Sequence, residues 1–152
     1  MPQPLNSSSL TRFMEAQAQD YEAALAELFA GRKRTHWIWY VLPQLRGLGM
    51  SQMSTSYGIA SLEEARAYLS HPTLGDRLRE CVRAIGRHKG IGIEQILGEV
   101  DAIKYRSCLT LFKQAEGEAS MFAGALDDFF QGQEDRKTLE LLALQRDPPR
   151  EA

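Results

Sequence analysis

Cysteine is nearly absent from this chain. Cys81 and Cys108 are the only two in 152 residues, and they are too far apart to suggest a disulfide framework. No CxxC or HxxxH spacing occurs, so no metal site is expected. Each cysteine lies in an apolar, helix-like context and reads as a reduced thiol packed as a small hydrophobe. Long apolar runs are also missing, and none approaches the ~20 residues that a membrane-spanning helix needs. The N-terminus MPQPLNSSSL has no basic region ahead of an apolar one. It is not read as a signal peptide, and the cytoplasm is the default compartment. Charge of one sign is missing too. Eighteen Lys and Arg oppose twenty Asp and Glu, for a formal net charge of −2. The chain as a whole therefore does not attract nucleic acid or an anionic membrane, and any electrostatic recognition must be local.

Valine is scarce and alternating runs are absent, which leaves little from which to build a sheet. No phosphate loop or GxGxxG fingerprint appears. No Ser–His–Asp or Cys–His order is recognisable, so hydrolytic nucleophile chemistry has no support. No cofactor is expected. What is present is the composition of an ordinary globular domain, 43% hydrophobic and 25% charged. Its length fits one domain that buries roughly two-thirds of its unfolded surface.

The pattern along the chain is helical. Residues 1–8 are polar, contain two prolines and should be loose. Leu10, Phe13, Met14, Tyr21, Leu25, Leu28 and Phe29 then recur at three- and four-residue steps. Ser9 is placed to cap this helix and Gly31 to end it. Ser61-Leu-Glu-Glu64 is a capping box ahead of Leu62, Ala65, Tyr68 and Leu69. Pro72 suits the first turn of a following helix carrying Leu74, Leu78, Cys81, Val82 and Ile85. A short turn of helix over 93–97 ends at Gly98. Asp101 can cap a helix with Ile103, Leu109, Leu111, Phe112 and Ala115 available for burial. Met121 to Phe130 follows, stopped by Gly132. Asp135 caps a last helix holding Leu139 and Leu142. The acidic pairs Glu63-Glu64 and Asp127-Asp128 read as solvated helix faces. The expectation is an all-α fold of about six or seven helices. One domain would span 9–145, between a loose start over 1–8 and a disordered tail over 146–152.

The stretch from Gly31 to Gly58 does not fit that rhythm. It holds both tryptophans, His36, Arg32, Lys33, Arg34, Arg46 and Gln44 between ordinary helical segments. Site-forming segments combine apolar walls with a few directed polar groups in this way. The run from His36 to Leu42 fits a strand or a helix equally well, until Pro43 ends it. Gly47 and Gly49 mark a loop.

These residues carry a resemblance. The chain is similar to the bacterial domain-of-unknown-function family 1810, some members of which bear a calpastatin-like label. The match runs through Phe13 to Gln17, Gly31 to Tyr40, Pro43 to Gly49 and Tyr57 to Ile59. It continues through Glu64 to Leu69, His71-Pro72 and Leu74-Gly75. It closes with Asp101, Lys104, Arg106-Ser107 and Thr110 to Phe112, and covers roughly residues 10 to 144. Cys108 departs from the pattern, which has a second serine there. The resemblance implies a small, mainly helical fold and no catalytic assignment. The calpastatin-like label implies nothing usable, because such an inhibitor would be proline-rich and disordered.

From the residues themselves, three polar groups are candidates. Arg32, Lys33 and Arg34 offer an anion-binding cluster, or merely a solvated helix end. Trp37, Trp39, Tyr40 and Tyr57 could line a pocket or fill the core. Gln44 and Arg46 flank the glycine loop, whose amides could approach an anion. Lys104, Arg106 and Ser107 form the third group. Their bland alternative is pairing of the two cations with Glu15 or Asp20 of the first helix. His36 is the candidate general acid or base. His71 reads as a helix-boundary residue, and no role is read for His88. The leading expectation is a polar-aromatic cleft for a small anionic or nucleotide-like ligand. In it Trp37 or Trp39 stacks on the ligand, Arg34, Arg46 and Lys104 hold negative charge, Gln44 and Ser107 direct hydrogen bonds, and Arg32, Tyr40, Tyr57 and Arg106 complete the binding set. The alternatives are an enzyme acting on a nucleotide-derived metabolite through His36, and a protein-interaction module. Neither a nucleic-acid nor a membrane partner is expected, and the sequence does not fix an oligomeric state.

Overall fold

The computed structural model describes residues 7–117 and 119–146, with side chains from 10 to 145. The expectations for the loose start and for the tail lie almost wholly outside these residues. The regular elements among the described residues are all helices, with no strand beyond an isolated parallel bridge between Leu45 and Ile59. They form α1 (Ser7–Ala30), α2 (Ile38–Val41), α3 (Gln52–Tyr57), α4 (Leu62–Ser70), α5 (Leu74–Gly86), α6 (Ile93–Leu97), α7 (Glu99–Glu116), α8 (Met121–Phe130) and α9 (Arg136–Arg146). Among the described residues nine helices replace the expected six or seven. The two extra ones, α2 and α3, are four and six residues long and lie inside the 31–58 stretch. Segments that short give periodicity too few turns to register.

α1 buries Leu10, Phe13, Gln17, Tyr21, Ala24 and Leu28, a line of three- and four-residue steps. Leu25 and Met14 are only half-buried and Phe29 is exposed, so the stripe is rotated slightly from the one read in sequence. α1 already includes Ser7, which puts Ser9 inside the helix rather than at its cap. α7 is the central helix. From Ser107 to Phe112 every residue is buried, as expected of a helix surrounded on all sides. It packs against α4, α6, α8 and α9, while α1 packs against α5 and α2.

An aromatic file runs through the core. Phe13 meets Tyr68 edge-on at 5.2 Å, Tyr68 meets Phe112 at 5.5 Å, and Phe112 meets Phe122 at 5.7 Å. These spacings suit attractive ring pairs, and they tie α1, α4, α7 and α8 together. Cys81 and Cys108 lie in this core as free thiols. Burial pushes the Cys81 thiol up to about 12 and that of Cys108 well above its usual range. Both therefore stay protonated and unreactive.

Several local expectations are corrected. Asp101 does not cap α7, because the helix starts two residues earlier, behind Gly98 at φ +87°. Ile103 is exposed rather than buried. Pro72 precedes the helix, and Thr73 is the residue before α5. Glu64 is not on a solvated face; it is 2% exposed. Ser61 Oγ does accept from the Glu64 amide at 3.1 Å, as a capping box requires. The carboxylate, however, accepts from the Ala60 amide at 2.9 Å and from Arg12 at 2.9 Å. Arg12 also donates to the Gly58 carbonyl, so one buried ion pair anchors the entry to α4.

Candidate functional site

The linker between α1 and α2 is built around one carboxylate. Gly31 ends α1 at φ +78°, a left-handed conformation that glycine adopts without a Cβ penalty. His88 packs its ring against that glycine and donates from Nε2 to the carbonyls of Phe29 (2.9 Å) and Leu28 (3.1 Å). The histidine for which no role was read thus closes the C-terminal end of α1. The chain then folds back over Glu27. Its Oε1 accepts from the amides of Arg34 (2.7 Å) and Thr35 (3.0 Å) and from the Trp37 indole N–H (2.9 Å). Its Oε2 accepts from the Thr35 hydroxyl at 2.6 Å. Burial works against ionisation, but these four donors outweigh it and hold the carboxyl at about 2. The Lys33 amide donates to the Ile96 carbonyl at 2.7 Å, which brings the linker beside the junction of α6 and α7.

An open hollow of about 470 Å³ forms there, lined by Lys33, Arg34, His36 and Trp39 on one side. Leu97, Gly98, Glu99, Val100, Asp101 and Lys104 line the other. α7 starts at its edge with no side-chain cap, so the leading amides and the positive end of the helix dipole are available to an anion. The Lys33 side chain is 6% exposed, and its Nζ pairs with Asp101 at 2.8 Å and lies 5.0 Å from the Trp37 ring centre. Lys104 sits 4.6 Å from the Trp39 ring centre and only loosely on Asp101, at 3.6 Å. Ring faces attract both ammonium groups. Asp101 thus takes the pairing role expected of Glu15 or Asp20. Trp39 is half-buried, and its Nε1 is shielded from solvent with no hydrogen-bond partner among the described residues. His36 is exposed on the rim. A second open hollow of about 460 Å³ shares Lys33 and Arg34 and adds Arg32.

The remaining candidates lie elsewhere. Trp37 is buried, 1% exposed. Tyr40 is buried too and donates to the Asp20 carboxylate and, at 3.3 Å, to the His36 carbonyl. Burial and the Asp20 charge raise the Tyr40 phenol above its usual range, so it stays a neutral strut between α2 and α1. Tyr57 packs on Tyr40 at 5.1 Å and on Phe13 at 6.2 Å. Gln44 and Arg46 close the 44–59 loop. The Gln44 carbonyl accepts from the Ile59 amide at 2.9 Å, and the Arg46 amide donates to the Ile59 carbonyl at 2.8 Å. The Arg46 guanidinium donates to the Gly58 carbonyl at 3.2 Å. Arg106 donates to the carbonyls of Gln133 (3.0 Å) and Glu134 (2.9 Å), bracing the turn between α8 and α9. Ser107 is buried and donates back to the Ile103 carbonyl of its own helix at 3.2 Å. The structure therefore gathers Arg34, His36, Trp39 and Lys104 at one hollow, places Arg32 next door, and directs the others to scaffolding contacts.

A family model described as a protein of unknown function (DUF1810) matches residues 7–142. The chain belongs to this family. It is also similar to the conserved hypothetical protein Rv1873 from Mycobacterium tuberculosis, known from a crystal structure. The two are 49% identical with a TM-score of 0.86, over 88% of this chain and 96% of that one. No curated protein matches the chain. Neither description goes beyond unknown function, so the chemistry of the hollow in this family member rests on geometry.

Sequence reading missed Glu27, Leu97, Glu99 and Val100. Glu27 had a visible signal: an acid in the last turn of a helix opposes the helix dipole and needs donors to hold it there. Leu97, Glu99 and Val100 had none, because only the meeting of the linker with the α6–α7 junction makes them a wall.

Proposed function

We propose that this protein binds a small anionic, nucleotide-like ligand in the hollow between the α1–α2 linker and the start of α7. One observation carries the reading. Lys33, Arg34, His36 and Trp39 from the linker meet Lys104 and the uncapped end of α7 around one open space. Guanidinium and ammonium groups supply charge-assisted hydrogen bonds to an oxyanion. Trp39, Leu97 and Val100 supply an apolar wall, and a hollow combining such a wall with few polar groups is the usual form of a small-ligand site. Isothermal titration with inorganic phosphate, acetate and adenosine monophosphate tests this. Saturable binding of at least one probe is expected. Arg34→Ala and Lys104→Ala should each weaken it by about tenfold, the worth of one charged hydrogen bond. Silence from every probe would overturn the reading.

Val100 and Ile103 favour a second reading. They are 65% and 64% exposed and lie one turn apart beside Lys104. An apolar pair beside a cation suits a protein partner covering the same face. Sedimentation over a range of concentrations tests whether that partner is a second copy of the chain.

A further inference from the structure

We infer that the hollow selects a ligand with a single phosphate on an apolar or aromatic body and rejects polyphosphate chains. This rests on the anion-binding reading above and specifies its ligand. The lining charges decide it. Three cations, Lys33, Arg34 and Lys104, face two carboxylates, Glu99 and Asp101. The balance is one positive charge. A phosphate monoester carries about −1.5 to −2 near neutral pH, of opposite sign and within about one charge of that balance. A triphosphate carries roughly twice as much charge and would bring the excess against Glu99 and Asp101.

The arrangement of the carboxylates sharpens the choice. Asp101 is held by Lys33 at 2.8 Å and is largely neutralised. Glu99 is exposed on the rim, and neither hydrogen bond nor ion pair joins it to another side chain among the described residues. It stands as a negative charge without a side-chain partner at the mouth, where the far phosphates of a chain would project. The apolar side of the hollow fits a body attached to the phosphate. Trp39 presents a half-buried ring, and Leu97 and Val100 continue that wall. The neighbouring hollow at Arg32, Lys33 and Arg34 has neither an acidic group nor an aromatic one in its lining.

Competitive titration on the full chain at fixed ionic strength tests the inference, read by tryptophan fluorescence and calorimetry. The probes are inorganic phosphate, adenosine, adenosine monophosphate and adenosine triphosphate. The monophosphate should bind about tenfold or more tighter than inorganic phosphate or the triphosphate, and adenosine should bind weakest. Glu99→Gln, an exposed substitution that leaves the cations in place, should improve triphosphate binding by about threefold more than monophosphate binding. Affinity that rises with ligand charge in the wild type would overturn the selectivity and leave the anion site standing. Adenosine binding as tightly as its monophosphate would overturn it as well. Silence from every probe would sink the anion site itself.

Discussion

Removing the Glu27 carboxylate should loosen the linker that builds the hollow, and the size of the loss follows from its four donors. The Trp37 indole N–H is the costly one. Trp37 is 1% exposed, so an orphaned N–H there costs about 1–3 kcal/mol. The amides of Arg34 and Thr35 and the Thr35 hydroxyl lie at exposed positions. Water replaces Glu27 for them, and each loses only about 0.5 kcal/mol. Glu27→Ala should therefore destabilise the protein by about 2.5–4.5 kcal/mol. Glu27→Gln keeps one acceptor oxygen and should cost about half as much. Urea denaturation at neutral pH, followed by far-ultraviolet circular dichroism, measures both. The pH dependence gives an independent reading. The folded carboxyl lies at about 2 against an ordinary 4.5, so the unfolded chain takes up the proton first. The stabilisation is complete above about 4.5 and declines as pH falls toward about 2. Glu27→Gln should flatten the stability curve in that window. If Glu27→Ala stayed within about 0.5 kcal/mol of wild type, with an unchanged acid limb, the linker would not be held by this carboxylate.

Three further outcomes are expected. Tyr105→Phe should raise the melting temperature, because it removes a fully buried hydroxyl that has no partner, worth about 1 kcal/mol or more; a clear loss of stability would contradict this. Gly75→Ala should cost about 3 kcal/mol in urea denaturation, because a Cβ there would lie 2.2 Å from the Leu69 carbonyl oxygen and force α4 and α5 apart; a neutral effect would refute the close approach. Arg12→Ala should cost about 3–5 kcal/mol, because it strands the buried Glu64 carboxylate, and Glu64→Gln in the same chain should recover part of the loss.

The long helices were legible because burial follows their periodicity. The line from Leu10 to Leu28 and the set Leu74, Leu78, Cys81, Val82 and Ile85 both reached the core. α2 and α3 were not legible, since a tertiary scaffold rather than local pattern makes them helical. The site was half legible. Arg34, His36 and Trp39 announced themselves by clustering in sequence, and Lys104 by its charge in an apolar helix. Their convergence depends on two contacts no sequence pattern encodes, the Lys33 amide on the Ile96 carbonyl and the Lys33 ammonium on Asp101. Arg106 and Arg46 looked equally available as cations, but backbone carbonyls on neighbouring turns claim them. Sequence shows that a guanidinium is present but not which carbonyl it will find.

The proposed receptor for a small phosphate-bearing ligand is one hollow, made by the linker over 33–39 and the junction over 97–104. Amide chemical-shift mapping in a titration with adenosine monophosphate tests it most directly. Saturable shifts confined to those two segments, including the Trp39 indole N–H, are expected. Shifts that are absent, or that map to a different face of the helical bundle, would contradict it.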